Sequence, residues 1–236
     1  MFMKKWQRYS RYLGTGDWHC HTRYTDGRNT VMEMCGQAER NGLEFIAFTE
    51  HVRRKLSYDF GRLEADVKKA RKKFPRMKIL LGCEAKVLDR TGSLDVSERV
   101  LRKCDIVLGT FHSFPSLNEG DKKKEGASGH LQASCRLPYT SRKKELESAL
   151  KNMLANPDVD IWTHPITFFH QCPLCEKDVY DIIRLCIKGN VLVENNIKPR
   201  YRSPKLIAEC RKMGAKIVTG SDAHGAEELL ILKGKS

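Results

Sequence analysis

The chain has 236 residues, of which 40% are hydrophobic and 31% charged, a composition that fits a folded globular protein and excludes a disordered one. No run approaches the roughly 18 apolar residues of a membrane helix, and the basic N-terminus lacks the apolar stretch of a secretory signal. We therefore expect a cytoplasmic protein with no membrane segment and a single domain over residues 1–236. The formal net charge of +14 favours an anionic partner, and nucleic acid is one candidate.

Nine cysteines are an odd number with irregular spacing, which favours reduced thiols in the core over a disulfide framework. Only Cys172 and Cys175 have the C-x-x-C spacing of zinc and redox sites. Because no second pair accompanies them, loop thiols are the favoured interpretation, and a second small metal site is the alternative.

Short apolar runs rich in Val, Ile and Leu predict buried strands that follow an N-terminal extension over residues 1–13. In chain order the runs are residues 13–18, 43–48, 78–85, 104–111, 159–163, 190–195 and 215–221. Helical stretches separate them. One begins at Thr30 with a glutamate three residues later, one begins at Asp95, and one begins at Ser203 and ends before Gly214. The alternation predicts an α/β protein with a parallel sheet.

Residues 113–141 form the longest predicted connection, which leaves the fourth strand directly after His112. A segment in that position overhangs the carboxyl ends of the strands. Two interpretations stand side by side: a basic lid over the site, and a plain disordered insertion.

The stretch "GDWHCHTRYTDG" places two imidazoles one residue apart at the end of the first predicted strand. Because side chains alternate along a strand, His19 and His21 are expected to share one face with Asp17. Buried imidazoles need hydrogen-bond or metal partners. The other strands supply them, since further histidines and carboxylates follow their carboxyl ends, which meet at one edge of a parallel sheet.

Nine side chains at these strand ends are candidate metal ligands: His19, His21, Asp26, His51, Glu84, His112, His164, Asp222 and His224. Imidazole and carboxylate donors without thiolate suit Zn, Mn or Fe. At three protein ligands per ion, nine ligands would hold two or three divalent ions that keep open positions for water or substrate. Such a multinuclear centre is typical of enzymes that hydrolyse phosphate esters.

The motifs "DWHCHTRYTDG", "TEH", "GCEAK", "GTFH", "THP" and "SDAH" occur in the order found in the PHP family, named for polymerase and histidinol phosphatase domains. The resemblance spans residues 15–225 and implies a distorted (βα)7 barrel, similar to a TIM barrel, with a trinuclear metal centre. It implies three ligand sets: His19, His21, Glu84 and Asp222 for one ion, Asp26, His51 and His224 for a second, and Glu84, His112 and His164 for a third.

Two positions depart from the commonest family pattern. Glu50 stands where an aspartate usually precedes the histidine, and we expect it to lie behind the ligands. Asp26 is a carboxylate where some members have histidine, which would tune the metal preference.

Basic residues just beyond the strand ends are candidate phosphate contacts: Arg23, Arg53, Arg54, Lys86, Lys198, Arg200 and Arg202. Of these we favour Arg23, Arg54 and Arg200, which join Glu84, Asp222 and His224 in the predicted catalytic set. Glu194 and Asn196 end the sixth strand, where they would orient ligands or substrate.

The favoured function is a metal-dependent phosphoesterase acting on a phosphorylated small molecule, with histidinol phosphate as the leading named substrate by resemblance. The alternative is a nuclease or nucleotide phosphatase like the PHP domains attached to DNA polymerases, which the basic charge favours. A third hypothesis is a barrel that binds RNA or a protein without catalysis.

Overall fold

In the described part of the chain, seven parallel strands form one sheet in which each strand pairs with the next. The computed structural model describes residues 3–112, 139–172 and 175–232, and of residues 139–142 it describes the backbone alone. The strands are β1 (Gly16–Cys20), β2 (Phe45–Val52), β3 (Lys78–Lys86), β4 (Ile106–Thr110), β5 (Ile161–Trp162), β6 (Leu192–Asn196) and β7 (Ile217–Gly220). Each lies within or overlaps a run that the sequence predicts as a strand.

The sheet closes on itself where β1 meets the segment after β7. Asp222 donates its backbone N–H to His19 O at 2.7 Å, and His21 donates to Ala223 O at 2.8 Å. The result is a nearly closed barrel with all carboxyl strand ends on one rim. The predicted α/β fold of the (βα)7 barrel type is confirmed.

Helices surround this barrel, and most start and stop signals are where the sequence places them. The described α-helices are α1 (Val31–Arg40), α2 (Phe60–Lys73), α3 (Glu98–Lys103), α4 (Tyr139–Ala155), α5 (Ile166–Gln171), α6 (Glu176–Gly189) and α7 (Pro204–Met213). Thr30 caps α1, and Gly214 ends α7 in the left-handed conformation at φ 81°. The helix that the sequence predicts to begin at Asp95 begins at Glu98 instead. Ser97 caps α3, while the Asp95 carboxylate accepts the backbone N–H of Arg54.

The predicted connection over residues 113–141 is shorter at its end, because α4 already begins at Tyr139. Residues 113–138 lie outside the described part of the chain, and so does the lid hypothesis that concerns them.

Apolar side chains fill the barrel below the rim. Along β2, Phe45 and Ala47 face this inner core, whereas Ile46 and Phe48 face the helices. Residues 1–13, predicted as an extension, contain a 3₁₀ helix over Lys5–Tyr12 whose Trp6 is buried in the inner core. The tail therefore packs against the end of the barrel opposite to the rim, and polar groups concentrate at the rim itself.

An extra residue in β1 changes which side chains share a face. Asp17 pairs with Ile46 and Cys20 pairs with Phe48, so three steps of β1 oppose two steps of β2. The expectation that Asp17 shares a face with His19 and His21 is wrong. Its buried carboxylate instead accepts backbone N–H groups, including that of Ser221 at 2.9 Å.

The described cysteines are thiols, and all but Cys175 are buried. Cys172 lies in the apolar core between the barrel and the helices, whereas Cys175 is exposed beside the start of α6. The two thiols therefore have different surroundings. Within the described ranges, none of the helices is long and apolar enough to cross a membrane.

Candidate metal centre

All nine predicted ligand side chains meet at the rim of the barrel. In the described part of the chain, four sets of donor atoms form, and within each set all atoms lie within 4.8 Å of one another. The sets are His19, His21 and Asp222; His21, Asp26, His51 and His224; His19, Glu84 and His164; and His51, Glu84 and His112. Shared members join the four sets into one continuous cluster.

The Glu84 carboxylate is the centre of the cluster. Its Oε1 lies 2.9 Å from His164 Nε2 and 3.3 Å from His112 Nε2. Its Oε2 lies 2.9 Å from His51 Nδ1. Burial alone would raise the pKa of Glu84, but the imidazoles around it, chiefly His112, outweigh burial and hold that pKa well below its usual range. Glu84 is therefore an anion that faces several imidazoles at once.

Two of the nine residues have backbone conformations that side chains rarely adopt. His164 has φ 25° and Asp222 has φ 51°. Such conformations persist only where the surrounding structure enforces them, and they concentrate at functional sites. At Asp222 the backbone bond to His19 is part of the barrel closure, so the strand connection itself directs this carboxylate into the cluster.

The donor set fits bound divalent cations. His21 Nδ1 is buried, and within the described residues it has no hydrogen-bond partner. His19 Nε2 faces His21 Nε2 at 3.0 Å, a contact in which at most one hydrogen can stand between the two nitrogens. Burial and the neighbouring His51 lower the pKa of His21 to about 3, so His21 is neutral at pH 7, as a metal ligand must be. Nitrogen and oxygen donors of this kind suit Zn, Mn or Fe.

A second layer of carboxylates holds the inner residues. Glu194 Oε1 lies 2.8 Å from His19 Nδ1, and Glu194 Oε2 accepts the backbone N–H of His164 at 2.5 Å. Glu50 is buried, which raises its pKa to about 7, and it accepts hydrogen bonds from Thr22 and Thr25. Glu50 thus braces the loop that carries Asp26, as the sequence suggests by its position before His51.

The three favoured arginines lie in different surroundings. Arg23 is 59% exposed with Glu33 3.9 Å away, and Arg54 lines a separate cleft with Tyr58 and Arg99. Arg200 lies beside the cluster. Their role as phosphate contacts stays a prediction.

The structure adds two residues to the rim of the cluster. Lys198, one of the seven basic candidates but not a favoured one, has its Nζ 3.3 Å from Asp222 Oδ2 and 3.1 Å from His224 Nδ1. Tyr201 stacks on the imidazole of His164 with ring centroids 4.9 Å apart. The sequence signal for both is their position directly after β6, the strand that carries Glu194.

Comparison with known proteins adds independent information. The profile of the PHP domain matches residues 17–157. A protein of Acetivibrio thermocellus named "Probable phosphatase" is 32% identical over 225 residues, which cover 88% of this chain and 78% of that protein. The DNA polymerase/3'-5' exonuclease PolX of Bacillus subtilis is 28% identical over 224 residues, which cover 91% of this chain and 35% of that protein.

A solved structure shows the same fold. Histidinol phosphate phosphatase of Lactococcus lactis subsp. lactis, in complex with zinc, L-histidinol and phosphate, superposes with a TM-score of 0.61. The match covers 90% of this chain and 87% of that one at 19% identity. With the profile match over more than half of its length, the chain belongs to the PHP domain family of metal-dependent phosphoesterases.

Proposed function

We propose that this protein hydrolyses phosphate monoesters of a small molecule at a centre of two or three divalent ions, Zn, Mn or Fe. The observation that carries the proposal is the Glu84 carboxylate, which belongs to two of the four sets of metal-type donors and joins His51 to His164 at the rim of the barrel. Ions held there supply a water of lowered pKa and neutralise negative charge on the attacked phosphoryl group.

The measured contacts support the three ligand sets that the family resemblance implies. Asp222 Oδ1 lies 3.2 Å from His21 Nε2 and 3.6 Å from His19 Nε2, which fits one shared cation. Asp26 Oδ2 lies 3.3 Å from His51 Nε2 and 3.2 Å from His224 Nε2, which fits a second. The contacts of Glu84 with His112 and His164 fit a third.

The residues around the ligands determine which ring nitrogen of His19 and of His224 carries the hydrogen. The Glu194 carboxylate can only accept a hydrogen bond, so His19 carries its hydrogen on Nδ1 and directs Nε2 into the cluster. His224 Nδ1 lies 2.8 Å from the carbonyl oxygen of Asp222, which likewise leaves Nε2 to face Asp26. In the proposed catalytic set, Glu84, Asp222 and His224 hold the ions, and the arginine side chains bind anionic oxygens of the substrate.

Small-molecule hydrolysis is the favoured activity because the cleft beside the cluster has a volume of about 510 Å³, within the range of small-ligand sites. Histidinol phosphate is the first named candidate, because the Lactococcus lactis relative binds L-histidinol. The second candidate is nuclease or nucleotide phosphatase activity. The net charge of +14 and the similarity to PolX favour it.

The test is a panel of phosphate esters assayed with protein loaded with Zn, Mn or Fe, before and after treatment with a chelator. The panel contains p-nitrophenyl phosphate, histidinol phosphate, a mononucleotide and a short oligonucleotide. We expect monoester hydrolysis that the chelator abolishes and that Glu84→Gln reduces by about 10³-fold or more. Glu39→Gln, which alters an exposed glutamate of α1, is the matched control.

Full activity after metal removal would contradict the proposal. Full metal occupancy with no turnover of any ester would instead support the non-catalytic barrel, and preferential cleavage of the oligonucleotide would support the nuclease.

A further inference from the structure

Residues 198–201, directly after β6, border the cluster on two sides. Lys198 Nζ lies 3.1 Å from His224 Nδ1 on one side. On the other side the Tyr201 ring stacks on His164, with the two planes 30° apart. Arg200 lies between them in the chain, and its guanidinium carbon is 4.7 Å from the centroid of the Tyr201 ring. A substrate bound at the metal centre would therefore extend along this segment.

An open cleft of about 510 Å³ lies beside this segment and reaches the cluster at His224. It is lined by Arg28, Lys198, Pro199, Arg200, His224 and Glu228. His224, a proposed metal ligand, lines this cleft. The part of the substrate that leaves after hydrolysis would therefore occupy the cleft.

The three cationic side chains that line the cleft differ in their partners. Arg28 pairs with Glu227 and, at 2.8 Å, with Glu228. Lys198 Nζ lies 3.3 Å from Asp222 Oδ2, so its charge is balanced by a proposed ligand. Within the described parts of the chain, Arg200 has no acidic partner within 4.0 Å, and its guanidinium is held only against the Tyr201 ring. The cleft therefore offers one uncompensated, positioned guanidinium.

We propose that the substrate is a phosphate ester whose leaving group carries a second anionic group, such as a second phosphate, and that Arg200 binds this second group. The inference rests on the proposed function and names its substrate class. A guanidinium binds phosphate or carboxylate oxygens in a two-pronged contact, whereas a cationic leaving group such as histidinol meets like charge in the same cleft. Arg200 is thus a specificity residue for the leaving group.

The reaction consumes one water. The bond between phosphorus and the ester oxygen breaks, the water oxygen bonds to phosphorus, and the leaving oxygen takes a proton. The products are inorganic phosphate and an alcohol that keeps its own anionic group.

The experiment compares kcat/KM for fructose 1,6-bisphosphate and fructose 6-phosphate on the metal-loaded protein. Histidinol phosphate serves as a cationic comparison, p-nitrophenyl phosphate as a measure of basal hydrolysis, and a 5'-phosphorylated oligonucleotide as a macromolecular anion. We expect the bisphosphate to exceed the monophosphate by about tenfold or more, and to exceed histidinol phosphate by more than that.

Variants assign this preference to Arg200. Arg200→Gln is expected to lower the ratio of bisphosphate to monophosphate about tenfold, through a higher KM for the bisphosphate rather than a lower kcat. Arg200→Lys should restore part of the ratio. Arg62→Gln removes an arginine of α2 whose side chain is 82% exposed, and this control should leave the ratio unchanged.

The outcomes separate the two proposals. Hydrolysis of p-nitrophenyl phosphate combined with equal or lower rates on the bisphosphate, with a ratio insensitive to Arg200→Gln, would overturn the substrate class and leave the phosphomonoesterase standing. Cleavage of the phosphodiester bonds of the oligonucleotide at a higher rate than hydrolysis of the bisphosphate would also overturn it. Absence of turnover on every ester would overturn both.

Discussion

Glu194 accepts a hydrogen bond from His19 Nδ1 at 2.8 Å, and both side chains are only 1% exposed. The other oxygen of the same carboxylate holds the backbone N–H of His164, which has the positive φ of 25°. One buried side chain on β6 therefore orients two proposed ligands, one on β1 and one in the loop after β5.

This relationship predicts the effect of Glu194→Gln. The amide keeps the size of the side chain but removes its charge, which weakens the hold on the His19 tautomer. We expect metal affinity to fall about 10- to 100-fold, as is usual when such an outer partner is lost. Competition with a chromogenic chelator measures the affinity. An affinity equal to that of wild-type protein and of the Glu39→Gln control would show that Glu194 has no positioning role.

Gly220 makes room for that carboxylate. A Cβ atom at this position would lie 2.1 Å from Glu194 Oε1 and 2.8 Å from His19 Cβ. Gly220→Ala should therefore displace both side chains, lower metal affinity at least about tenfold and destabilise the fold by about 1–3 kcal/mol. Gly14→Ala is the matched control, because no heavy atom of the described residues lies within 4 Å of its added Cβ. Chelator competition measures the metal affinity of the two variants, and denaturant unfolding measures their stability. Equal metal affinity and equal stability of Gly220→Ala and Gly14→Ala would contradict the prediction.

Trp6 anchors the N-terminal segment in the barrel. Its side chain is 1% exposed in the inner core, and its Nε1 donates to Asn190 O at 2.7 Å. Trp6→Ala should lower the free energy of unfolding by about 3–5 kcal/mol, because it leaves a cavity among the apolar side chains. Met3→Ala, at a side chain that is 64% exposed, should change it little. Urea titrations of both variants test the role, and a small loss for Trp6→Ala would mean that the segment is dispensable.

Asp160 makes stability depend on pH. Burial raises its pKa from 3.8 to about 6, although Trp6 and Val107 donate backbone N–H groups to it. Between these values the unfolded chain is ionised while the folded protein keeps the proton, so the free energy of unfolding falls as pH rises. The contribution is about 3 kcal/mol between roughly pH 4 and 6, and it levels off above that.

Asp160→Asn removes the titration. We compare the free energies of unfolding of the wild-type protein and the variant at each pH. The difference, wild type minus variant, should fall by about 3 kcal/mol between roughly pH 4 and 6, because all other titrating groups are common to both proteins. Parallel pH curves for the two proteins would contradict the assignment.

The sequence predicts that the nine candidate side chains converge, because parallel strands place their carboxyl ends on one rim. A histidine or carboxylate near the carboxyl end of such a strand, as at His51 and Glu84, then lies near the others. The fold class follows from the same alternation of strands and helices.

The features that sequence reasoning missed depend on contacts between distant segments. The extra residue in β1 separates Asp17 from the two histidines, and its cause is the pairing with β2 and the closure against β7. The stacking of Tyr201 on His164 joins two loops and has no periodic signal in either. Local spacing also predicts a helix start at Asp95, but the Asp95 carboxylate accepts the backbone N–H of Arg54 on another loop.

The most direct test of the metal centre is the number of metal equivalents per chain, measured by elemental analysis after dialysis against a weak chelator. Nine converging donors predict two to three equivalents of Zn, Mn or Fe in the wild-type protein, and a loss of at least one in Glu84→Gln. Less than one equivalent in folded wild-type protein, or the same content in the variant, would contradict a multinuclear site joined by Glu84.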